Sequence, residues 1–364
     1  MIVVTGAAGF VGFHVARRLL TLGHPVVGFD NLNDYYSVRL KHDRLATLAA
    51  HPGWRFVEGD LCDAPLLANV VRSGGQCVIH LAAQAGVRWS LENPAAYVQS
   101  NLVGFGNLLE ACRQTGTRNL IYASSSSVYG ANTKTPFAVG DPVDHPVSLY
   151  AATKKANESM AHAYAHLFGL PCTGLRFFTV YGPWGRPDMA YWKFTDSILA
   201  GRPIEVFGSG LLRRDFTYVD DVVEAIVRMV DRPATPDRAW SASAPDPAAS
   251  AAPWRVYNVG NHTPVTVNEM LSTLEELCGR KAVRVDRPRP PGDVEATFAD
   301  VDSLSRDFGF RPRTSLRDGL ARFVAWYRDW RSKPGLETGP AETLPMAPRE
   351  TIGQVASDTR KRAA

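Results

Sequence analysis

The sequence predicts a doubly wound α/β fold. Six short runs rich in Val, Ile, Leu and Phe alternate with segments of helical periodicity, at residues 2–5, 25–29, 55–57, 77–81, 119–123 and 172–177. Runs that are apolar on both faces are typical of parallel strands covered by helices on either side. A glycine-rich stretch after the first run leads directly into a helical pattern, which completes a strand–turn–helix unit. Together these observations indicate a Rossmann-type domain.

The glycine-rich turn predicts a dinucleotide site. Gly6, Gly9 and Gly12 separate the first strand from the first helix, and the second strand closes on Asp30. Glycines let the backbone approach a pyrophosphate, which the free N–H groups of the helix N-terminus favour. A carboxylate about 20 residues further on is suited to the adenosine ribose hydroxyls and repels a 2′-phosphate. The predicted cofactor is therefore NAD, with Asp60 and Leu61, after the third strand, near the adenine amino group.

The chain divides into two predicted regions and a tail. We expect an NAD-binding Rossmann domain at residues 1–178 with returning segments at about 215–260. Pieces punctuated by Pro and Gly follow residue 178, and they predict a smaller α/β substrate-binding lobe at residues 179–214 and 261–330. Residues 233–253 are dominated by Ala, Ser, Pro and Asp, which predicts a flexible surface loop. Residues 331–364 are expected to form a flexible C-terminal tail.

Composition excludes several functional classes. A net charge of +4 over 364 residues gives no sign of nucleic-acid binding. The five cysteines form no C-x-x-C pair and are interpreted as reduced thiols. The first apolar run reaches Gly6 too soon for a signal peptide or a membrane span. We therefore expect a cytoplasmic protein with no membrane association and no metal site.

A tyrosine and a lysine four residues apart carry the predicted chemistry. Tyr150 and Lys154 share one face of a predicted helix, and a run of four serines, residues 124–127, follows the fifth strand. A phenol is a poor base at neutral pH, but a neighbouring ammonium and the nicotinamide cation both favour the phenolate. Tyr150 is thereby usable as acid and base. The serine run lies where parallel sheets place their ligands.

With the Gly-x-x-Gly-x-x-Gly turn, the serine run and Tyr-x-x-x-Lys in this order, residues 1–330 resemble the extended short-chain dehydrogenase/reductase family. The resemblance implies that Tyr150 is the acid/base, that Lys154 binds the nicotinamide ribose and lowers the Tyr150 pKa, and that Ser125 holds the reacting oxygen. Ser126 and Ser127 would then face the substrate. The resemblance also implies this set of cofactor-binding residues: Gly6, Ala8, Gly9, Phe10, Val11, Gly12, Asp30, Asn31, Asn33, Asp60, Leu61, Leu81, Ala82, Ala83, Gln84, Asn101, Tyr150 and Lys154.

Later segments resemble the sugar-nucleotide epimerase and dehydratase branch of that family, at residues 80–84, 101–104, 175–183, 213–221 and 291–293. This likeness implies a UDP-sugar substrate. Arg214 would pair with the nucleotide pyrophosphate, for which a guanidinium is well suited. Asp293 would hold the uridine ribose, and Val206 would contact the substrate as well.

Three segments resemble the UDP-glucuronate 4-epimerases within that branch, at residues 30–36, 84–94 and 181–190. The implied reaction interconverts UDP-glucuronate and UDP-galacturonate through a 4-keto sugar while NAD stays tightly bound. Arg186, with Thr179, Ser126 and Ser127, is the candidate cradle for the sugar carboxylate, and Arg88 is a second possible cation.

Other activities of the same fold remain open at this point. UDP-glucuronate decarboxylases usually carry Glu where this chain has Ser127, and a 4,6-dehydratase needs an acidic pair near Ser126 and Ser127. UDP-glucose 4-epimerase activity is possible if Arg186 makes only a structural salt bridge. A non-catalytic NAD-binding protein is disfavoured because Tyr150, Lys154 and the serine run are all present.

A homodimer is expected from the resemblance. Related enzymes pair through two long helices, which residues 101–115 and 151–168 could form here. The apolar faces of these helices could equally belong to the core.

Overall fold

A seven-stranded parallel sheet forms the centre of the molecule in the computed structural model, which describes residues 1–289 and 295–333. Six of its strands follow one another along the chain: β1 (Ile2–Thr5), β2 (Val26–Asp30), β3 (Trp54–Glu58), β4 (Cys77–His80), β5 (Asn119–Ser125) and β6 (Cys172–Phe177). The next four strands along the chain are β7 (Thr179–Tyr181), β8 (Pro203–Phe207), β9 (Arg213–Tyr218) and β10 (Trp254–Val259). The last three are β11 (Pro264–Thr266), β12 (Val283–Arg287) and β13 (Ala296–Thr297).

Helices connect the strands and cover both faces of the sheet. The first six are α1 (Phe10–Thr21), α2 (Val38–Ala49), α3 (Ala64–Arg72), α4 (Trp89–Glu92), α5 (Pro94–Tyr97) and α6 (Gly104–Thr115). The others are α7 (Leu149–Phe168), α8 (Ala190–Ala200), α9 (Val219–Met229), α10 (Val267–Cys278), α11 (Asp302–Phe308) and α12 (Leu316–Arg331). A π-helical stretch, Val98–Val103, joins α5 to α6, and a 3₁₀ turn, Ser126–Tyr129, follows β5.

The strand order confirms the predicted doubly wound α/β fold. The sheet runs β10-β6-β5-β4-β1-β2-β3, so the chain reverses direction across the sheet between β1 and β4. Ligands of such sheets bind at the carboxyl ends of the strands beside this switch point. The glycine-rich turn follows β1 at this place, which positions the site.

The core lies on both faces of the sheet. Val3 and Val4 are both fully buried, and they belong to different apolar clusters because successive strand residues point to opposite faces. The Val4 cluster includes side chains of α1, α9 and α12, and the Val3 cluster includes side chains of α3, α6 and α7. Strands of this kind must be apolar throughout, as the sequence pattern indicates.

Two small sheets lie outside the main one. In the first, β9 pairs with β7, β11 and β13, and in the second β8 pairs with β12. After β9, helix α9 packs against α1, and β10 pairs with β6 at the edge of the main sheet. Within the described residues, no helix has both the length and the apolar character needed to cross a bilayer.

Most of residues 235–247 are exposed, as expected of a surface loop, but the end of the segment at residues 233–253 departs from that prediction. Ala248, Ala249 and Ala252 are buried. The Ser250 hydroxyl lies 2.9 Å from His162 Nε2 of α7. Small side chains therefore let this irregular segment pack closely against the body of the protein, which a composition argument does not reveal. The predicted tail lies outside the described residues from residue 334 onward.

Candidate active site

The turn after β1 is shaped for a phosphate group. Gly6 has a φ of +70°, and a Cβ at Gly12 would lie 2.0 Å from the Gly6 carbonyl oxygen, so larger residues would not fit. Helix α1 begins at Phe10 without a side-chain cap and without an acidic residue in its first turn. Its free N–H groups and positive helix end are therefore available to an anion.

The end of β2 forms the adjacent part of the cleft. The Asp30 carboxylate accepts from the backbone N–H of Ala8 at 3.0 Å and of Leu32 at 2.9 Å, which fixes its position at the strand end. Asn31 Nδ2 donates to Asp60 Oδ2 at 2.7 Å. Asp30 and Asp60 thus stand side by side where the adenosine of a dinucleotide would lie, and their negative charges disfavour a 2′-phosphate.

A buried asparagine organises the loop after β4. Asn101, in the π-helical stretch, accepts from the Gln84 N–H at 2.8 Å and donates from Nδ2 to the Gln84 carbonyl at 3.0 Å. The same Nδ2 also donates to Thr153 Oγ1 at 3.1 Å. Asn101 is therefore placed beneath the cleft, where it connects the loop at residues 81–84 to helix α7. The irregular helix exposes the polar groups that make this connection.

Helix α7 carries the predicted catalytic pair. Ser148 caps its N-terminus by accepting from the Ala151 N–H at 3.1 Å, so the helix starts just before Tyr150. Tyr150 and Lys154 line the same cleft as Ser125. The Lys154 ammonium is buried and donates to the Ala123 carbonyl of β5 at 2.9 Å. Burial lowers the pKa of Lys154 to about 8, against the opposing effect of the Glu158 charge.

The phenol of Tyr150 is influenced by groups on both sides of the cleft. Burial raises its pKa, while a hydrogen bond with the Ser125 hydroxyl and the positive charge of Arg186 lower it. A lowering of the Tyr150 pKa by Lys154, expected from the sequence, stays a prediction. Arg186 lines the same cleft as Tyr150, so its positive charge can act on the phenol.

The four serines do not share one environment. Ser124 borders the cleft, but its hydroxyl donates to Glu158 Oε1 at 2.6 Å, beside the buried ion pair of Glu158 and Arg176. Ser125 lines the cleft. Ser126 and Ser127 start the 3₁₀ turn, and the Ser127 N–H donates to Ser125 Oγ at 3.2 Å. Ser125 is the last residue of β5, and this position at the strand end places it in the cleft with Tyr150.

Arg186 differs from its expected arrangement. It lines the cleft, but its guanidinium donates from Nε to Asp188 Oδ1 at 3.0 Å and from Nη2 to Asp188 Oδ2 at 2.5 Å. Asp188 holds the pKa of Arg186 well above its usual range despite burial. Thr179, Ser126 and Ser127 are half-buried beside this region and do not line the cleft with Arg186.

Most predicted site residues meet in this one cleft. Those that line it are Gly6, Gly9, Phe10, Val11, Gly12, Asp30, Asn31, Asn33, Asp60, Leu61, Leu81, Ala82, Ala83, Gln84, Ser125, Tyr150, Lys154 and Arg186. Ala8 contributes through its backbone, and Asn101 lies beneath.

Of the other described residues predicted to bind the substrate, three do not line this cleft: Arg88, the second candidate cation for the carboxylate, Arg214 and Val206. Arg88 is over the Phe207 ring at 5.5 Å, and Arg214 Nη1 donates to the Arg213 carbonyl at 2.9 Å. Val206 is fully buried in β8, which leaves only its backbone for a ligand. Asp293 lies outside the described residues.

Sequence reasoning missed a group of residues contributed by the β2–α2 region. Tyr35, Tyr36 and Lys41 line the cleft. Arg44, one helical turn after Lys41, is fully buried and donates to the carbonyls of Ala8, Trp184 and Gly185. Two cations three residues apart on an otherwise amphipathic helix were the available signal, but the sequence does not say which face is buried.

Comparisons with known proteins agree with this geometry. The chain is 50% identical over 326 residues to a protein of Rhizobium meliloti (strain 1021) named "Probable UDP-glucuronate 4-epimerase", covering 89% of this chain and 96% of the relative. It is 53% identical over 333 residues to "Protein CapI" of Staphylococcus aureus, covering 91% and 99%. The structure of UDP-glucuronic acid 4-epimerase from Bacillus cereus with UDP-glucuronic acid and NAD has a TM-score of 0.78 at 31% identity, covering 90% of this chain and 99% of that one.

The family assignment follows from the extent of these matches. Residues 2–242 match the family described as "NAD dependent epimerase/dehydratase family", which is more than half of the chain. The match includes the glycine-rich turn, Ser125, Tyr150, Lys154 and Arg186. It confirms the resemblance and the NAD cofactor predicted from sequence. The chain belongs to the NAD dependent epimerase/dehydratase family.

Proposed function

We propose that the protein interconverts UDP-glucuronate and UDP-galacturonate by NAD-dependent epimerisation at C4 of the sugar. The observation that carries this proposal is a cation, Arg186, in the same cleft as Ser125, Tyr150 and Lys154. Because the C4 hydroxyl and the C5 carboxylate are neighbours on the sugar, an oxygen placed at Tyr150 brings the carboxylate toward Arg186. Several relatives, in Rhizobium meliloti and Arabidopsis thaliana, bear the name UDP-glucuronate 4-epimerase.

The cofactor side of the cleft fits NAD. The uncapped start of α1 offers N–H donors to the pyrophosphate, Asp30 suits the adenosine ribose, and Lys154 suits the nicotinamide ribose. When bound there, NAD supplies the hydride acceptor for C4 and the donor that returns the hydride. The glycines of the turn leave no room for side chains where the pyrophosphate would approach.

The protein's own groups move and hold the proton. Tyr150, as the phenolate, accepts the proton of the C4 hydroxyl, and Ser125 donates a hydrogen bond to the oxygen that becomes a carbonyl. Lys154 contributes a positive charge that favours the phenolate. After the 4-keto sugar turns its other face to the cofactor, Tyr150 returns the proton to the same oxygen. This sequence leaves the cofactor unchanged overall.

The remaining substrate contacts extend away from this centre. In the proposal, Arg214 binds the pyrophosphate of UDP, Asp293 the uridine ribose, and the backbone at Val206 the base. Arg186 binds the sugar carboxylate, and Thr179, Ser126 and Ser127, which do not line the cleft, stay candidate hydroxyl donors. Arg88 stays a second candidate cation.

The alternatives of the same fold are less well supported. Ser127 stands where decarboxylases usually carry Glu, and Ser126 and Ser127 supply no acids for a dehydratase. UDP-glucose 4-epimerase is not favoured either, although Asp188 pairs with Arg186, because relatives at about 50% identity bear the name UDP-glucuronate 4-epimerase.

The test is incubation of the purified protein, without added NAD, with UDP-glucuronate, followed by proton NMR of the sugar products. We expect UDP-galacturonate to accumulate to a constant ratio, which would establish both the reaction and the retained cofactor. UDP-xylose with CO₂ release would make the protein a decarboxylase. Turnover of UDP-glucose alone would show that Arg186 does not recognise a carboxylate.

We further propose a homodimer that pairs through α6 and α7. Leu167 and Phe168 at the end of α7 are 67% and 52% exposed, and Val103 next to α6 is 44% exposed. Apolar side chains grouped on two adjacent helices are suited to burial against a second copy. Sedimentation equilibrium should give twice the monomer mass, and a Leu167→Glu variant should lower that mass.

A cytoplasmic location is also proposed. All five cysteines are free, and four of them are buried. Free buried thiols are typical of proteins from a reducing compartment. Fractionation of the source cells, with detection of the protein in the soluble cytoplasmic fraction, tests this.

A further inference from the structure

Arg186 and Asp188 form an ion pair at the place where the carboxylate of the proposed substrate would bind. The two residues belong to the segment between β7 and α8, and their side chains are 23% and 17% exposed. A guanidinium can bind carboxylates along two edges, one formed by Nε and Nη2 and the other by Nη1 and Nη2. Asp188 occupies the first edge completely. Asp188 does not contact the second edge, and the side chain that carries this edge lines the cleft.

Tyr35 contacts both members of the pair. Its hydroxyl donates to Asp188 Oδ2 at 3.4 Å, and the Arg186 guanidinium lies 5.9 Å from the centre of its ring. Tyr35 comes from the loop after β2, where Asp30 lies, whereas the ion pair comes from a segment about 150 residues later in the sequence. The orientation of Arg186 is therefore fixed from two sides, by an ion pair and by an aromatic face.

The segment that carries the pair is itself held against the NAD-binding region. Arg44 donates to the carbonyls of Trp184 at 2.6 Å and Gly185 at 3.0 Å. His14 Nε2 lies 2.9 Å from the Pro183 carbonyl. Trp184 has a φ of +60°, a backbone conformation that persists only where surrounding contacts enforce it. The backbone before Arg186 is thus fixed independently of a substrate.

We propose that Asp188 is a positioning residue that orients Arg186 so that its second edge fixes the sugar carboxylate and prevents its loss as CO₂. This inference rests on the proposed function. The 4-keto form of the substrate is a β-keto acid, in which the bond from C5 to the carboxylate can break. The electron pair of that bond would pass to the C4 carbonyl to give an enolate, CO₂ would leave, and C5 would then take up a proton. The bond breaks readily only when it is aligned with the carbonyl π system, so the orientation of the carboxylate decides the outcome.

The neutrality of the pair supports a role in orientation. Since Asp188 cancels the charge of Arg186, attraction of a carboxylate depends on two directed hydrogen bonds from one edge of the guanidinium. Such bonds define the plane of the bound carboxylate, which net charge alone does not. Removal of Asp188 would leave a stronger cation that is free to rotate.

The experiment compares Asp188→Asn with the native protein and with Asp237→Asn. An asparagine keeps one acceptor but places an amide donor opposite the guanidinium. Asp237 forms a comparable half-buried ion pair with Arg255 at 3.0 Å, in a part of the chain remote from the cleft. Proton NMR measures the ratio of UDP-pentose products to UDP-galacturonate, and initial rates give KM and kcat.

We expect Asp188→Asn to raise the decarboxylated fraction and the KM for UDP-glucuronate by roughly tenfold, the factor that one charged hydrogen bond supplies. Asp237→Asn should match the native protein in both. Tyr35→Phe, which removes only the hydroxyl, should shift the product ratio in the same direction by a smaller factor.

An Asp188→Asn protein with native NAD content, native thermal midpoint and an unchanged product ratio and KM would overturn the inference. If that variant does not fold, an unchanged ratio in Tyr35→Phe would overturn it instead. A native protein that does not turn over UDP-glucuronate would refute the proposed function itself, so the two failures are distinguishable.

Discussion

The cofactor side and the substrate side of the cleft are built in different ways. The cofactor side uses the ends of neighbouring strands in one sheet, and its key positions, Gly6, Gly12 and Asp30, act through backbone shape or short side chains. The substrate side depends on a long side chain, Arg186, that other long side chains hold in place. The register of the sheet fixes the positions of the groups on the cofactor side. The second side depends on contacts between residues far apart in sequence, so single substitutions should alter it more selectively.

The largest expected effect concerns Tyr150, which lies between the cofactor side and the substrate side of the cleft. Tyr150→Phe removes the acid/base hydroxyl but keeps the ring, so kcat should fall about 10²–10⁴-fold on every substrate. NAD content and thermal midpoint should stay close to native, because the ring, Lys154 and the glycine-rich turn remain in place. Steady-state rates and HPLC of the released nucleotide measure both quantities.

Tyr164→Phe is the matched control for this change. It alters a phenol on the same helix whose hydroxyl donates to Glu110 at 3.4 Å, away from the cleft. Its activity should be native. Retention of full turnover by Tyr150→Phe would contradict the catalytic assignment.

A change on the cofactor side should lower the turnover of all substrates equally. In Gly12→Ala the new methyl group would lie 2.0 Å from the Gly6 carbonyl oxygen, so the turn must shift. We expect a loss of about 1–3 kcal/mol in the free energy of unfolding and loss of the retained NAD. Denaturant titration and the nucleotide content of the purified protein test this.

Gly140→Ala provides the comparison, since a Cβ there meets nothing within 4 Å and φ is not positive. Its stability and NAD content should equal those of the native protein. Native NAD content in Gly12→Ala would show that the turn tolerates a side chain and does not approach the pyrophosphate closely.

Arg44 is the residue that connects the two sides, so its replacement should affect both. Arg44→Lys keeps the charge, but one ammonium cannot reach the carbonyls of Ala8, Trp184 and Gly185 together. Buried carbonyls left without donors should cost about 1–3 kcal/mol in unfolding free energy. The KM for UDP-glucuronate should rise as well.

Arg228→Lys serves as the control, because Arg228 also donates to two carbonyls, those of Phe308 and Gly309, but at the surface. Its unfolding free energy should change by less than about 0.5 kcal/mol. Equal effects of the two substitutions would mean that Arg44 is not a connection between the sides of the cleft.

The smallest expected effect is a pH dependence. Because burial lowers the pKa of Lys154 to about 8, its charge is lost as pH rises through that value. In the unfolded chain the lysine titrates near ~10.5, so between these values the unfolded state binds more protons and the Lys154 contribution to stability increases with pH. Activity that needs the ammonium should fall over the same range.

We therefore expect kcat/KM to decrease above about pH 8 while the thermal midpoint shows no matching loss. Lys41 has a pKa that burial also lowers to about 8, so a Lys41→Gln variant serves as the control. Its alkaline limb should remain if Lys154 is responsible. A flat rate profile up to pH 10 would contradict this assignment.

The sequence by itself determined the fold class and the cofactor site. Apolar runs with helical segments between them can form only a covered parallel sheet, and the turn at residues 6–12 needs glycine for reasons confined to a few neighbouring residues. The spacing of Tyr150 and Lys154 on one helix face is equally local. The α/β fold class and the NAD cofactor were predicted correctly because strand, turn and helix geometry is fixed over short stretches of chain, whereas the roles of the individual site residues stay predictions.

Only the tertiary structure decided how the substrate side is arranged. It paired Arg186 with Asp188, placed Tyr35 and Arg44 against the same segment, turned the Ser124 hydroxyl toward Glu158 and buried the end of the segment at residues 233–253. None of these contacts follows from local spacing, since each joins a charged or polar group to whichever partner the folded chain brings within hydrogen-bond distance. A buried charge must find a partner, and the partner's identity is a property of the whole fold.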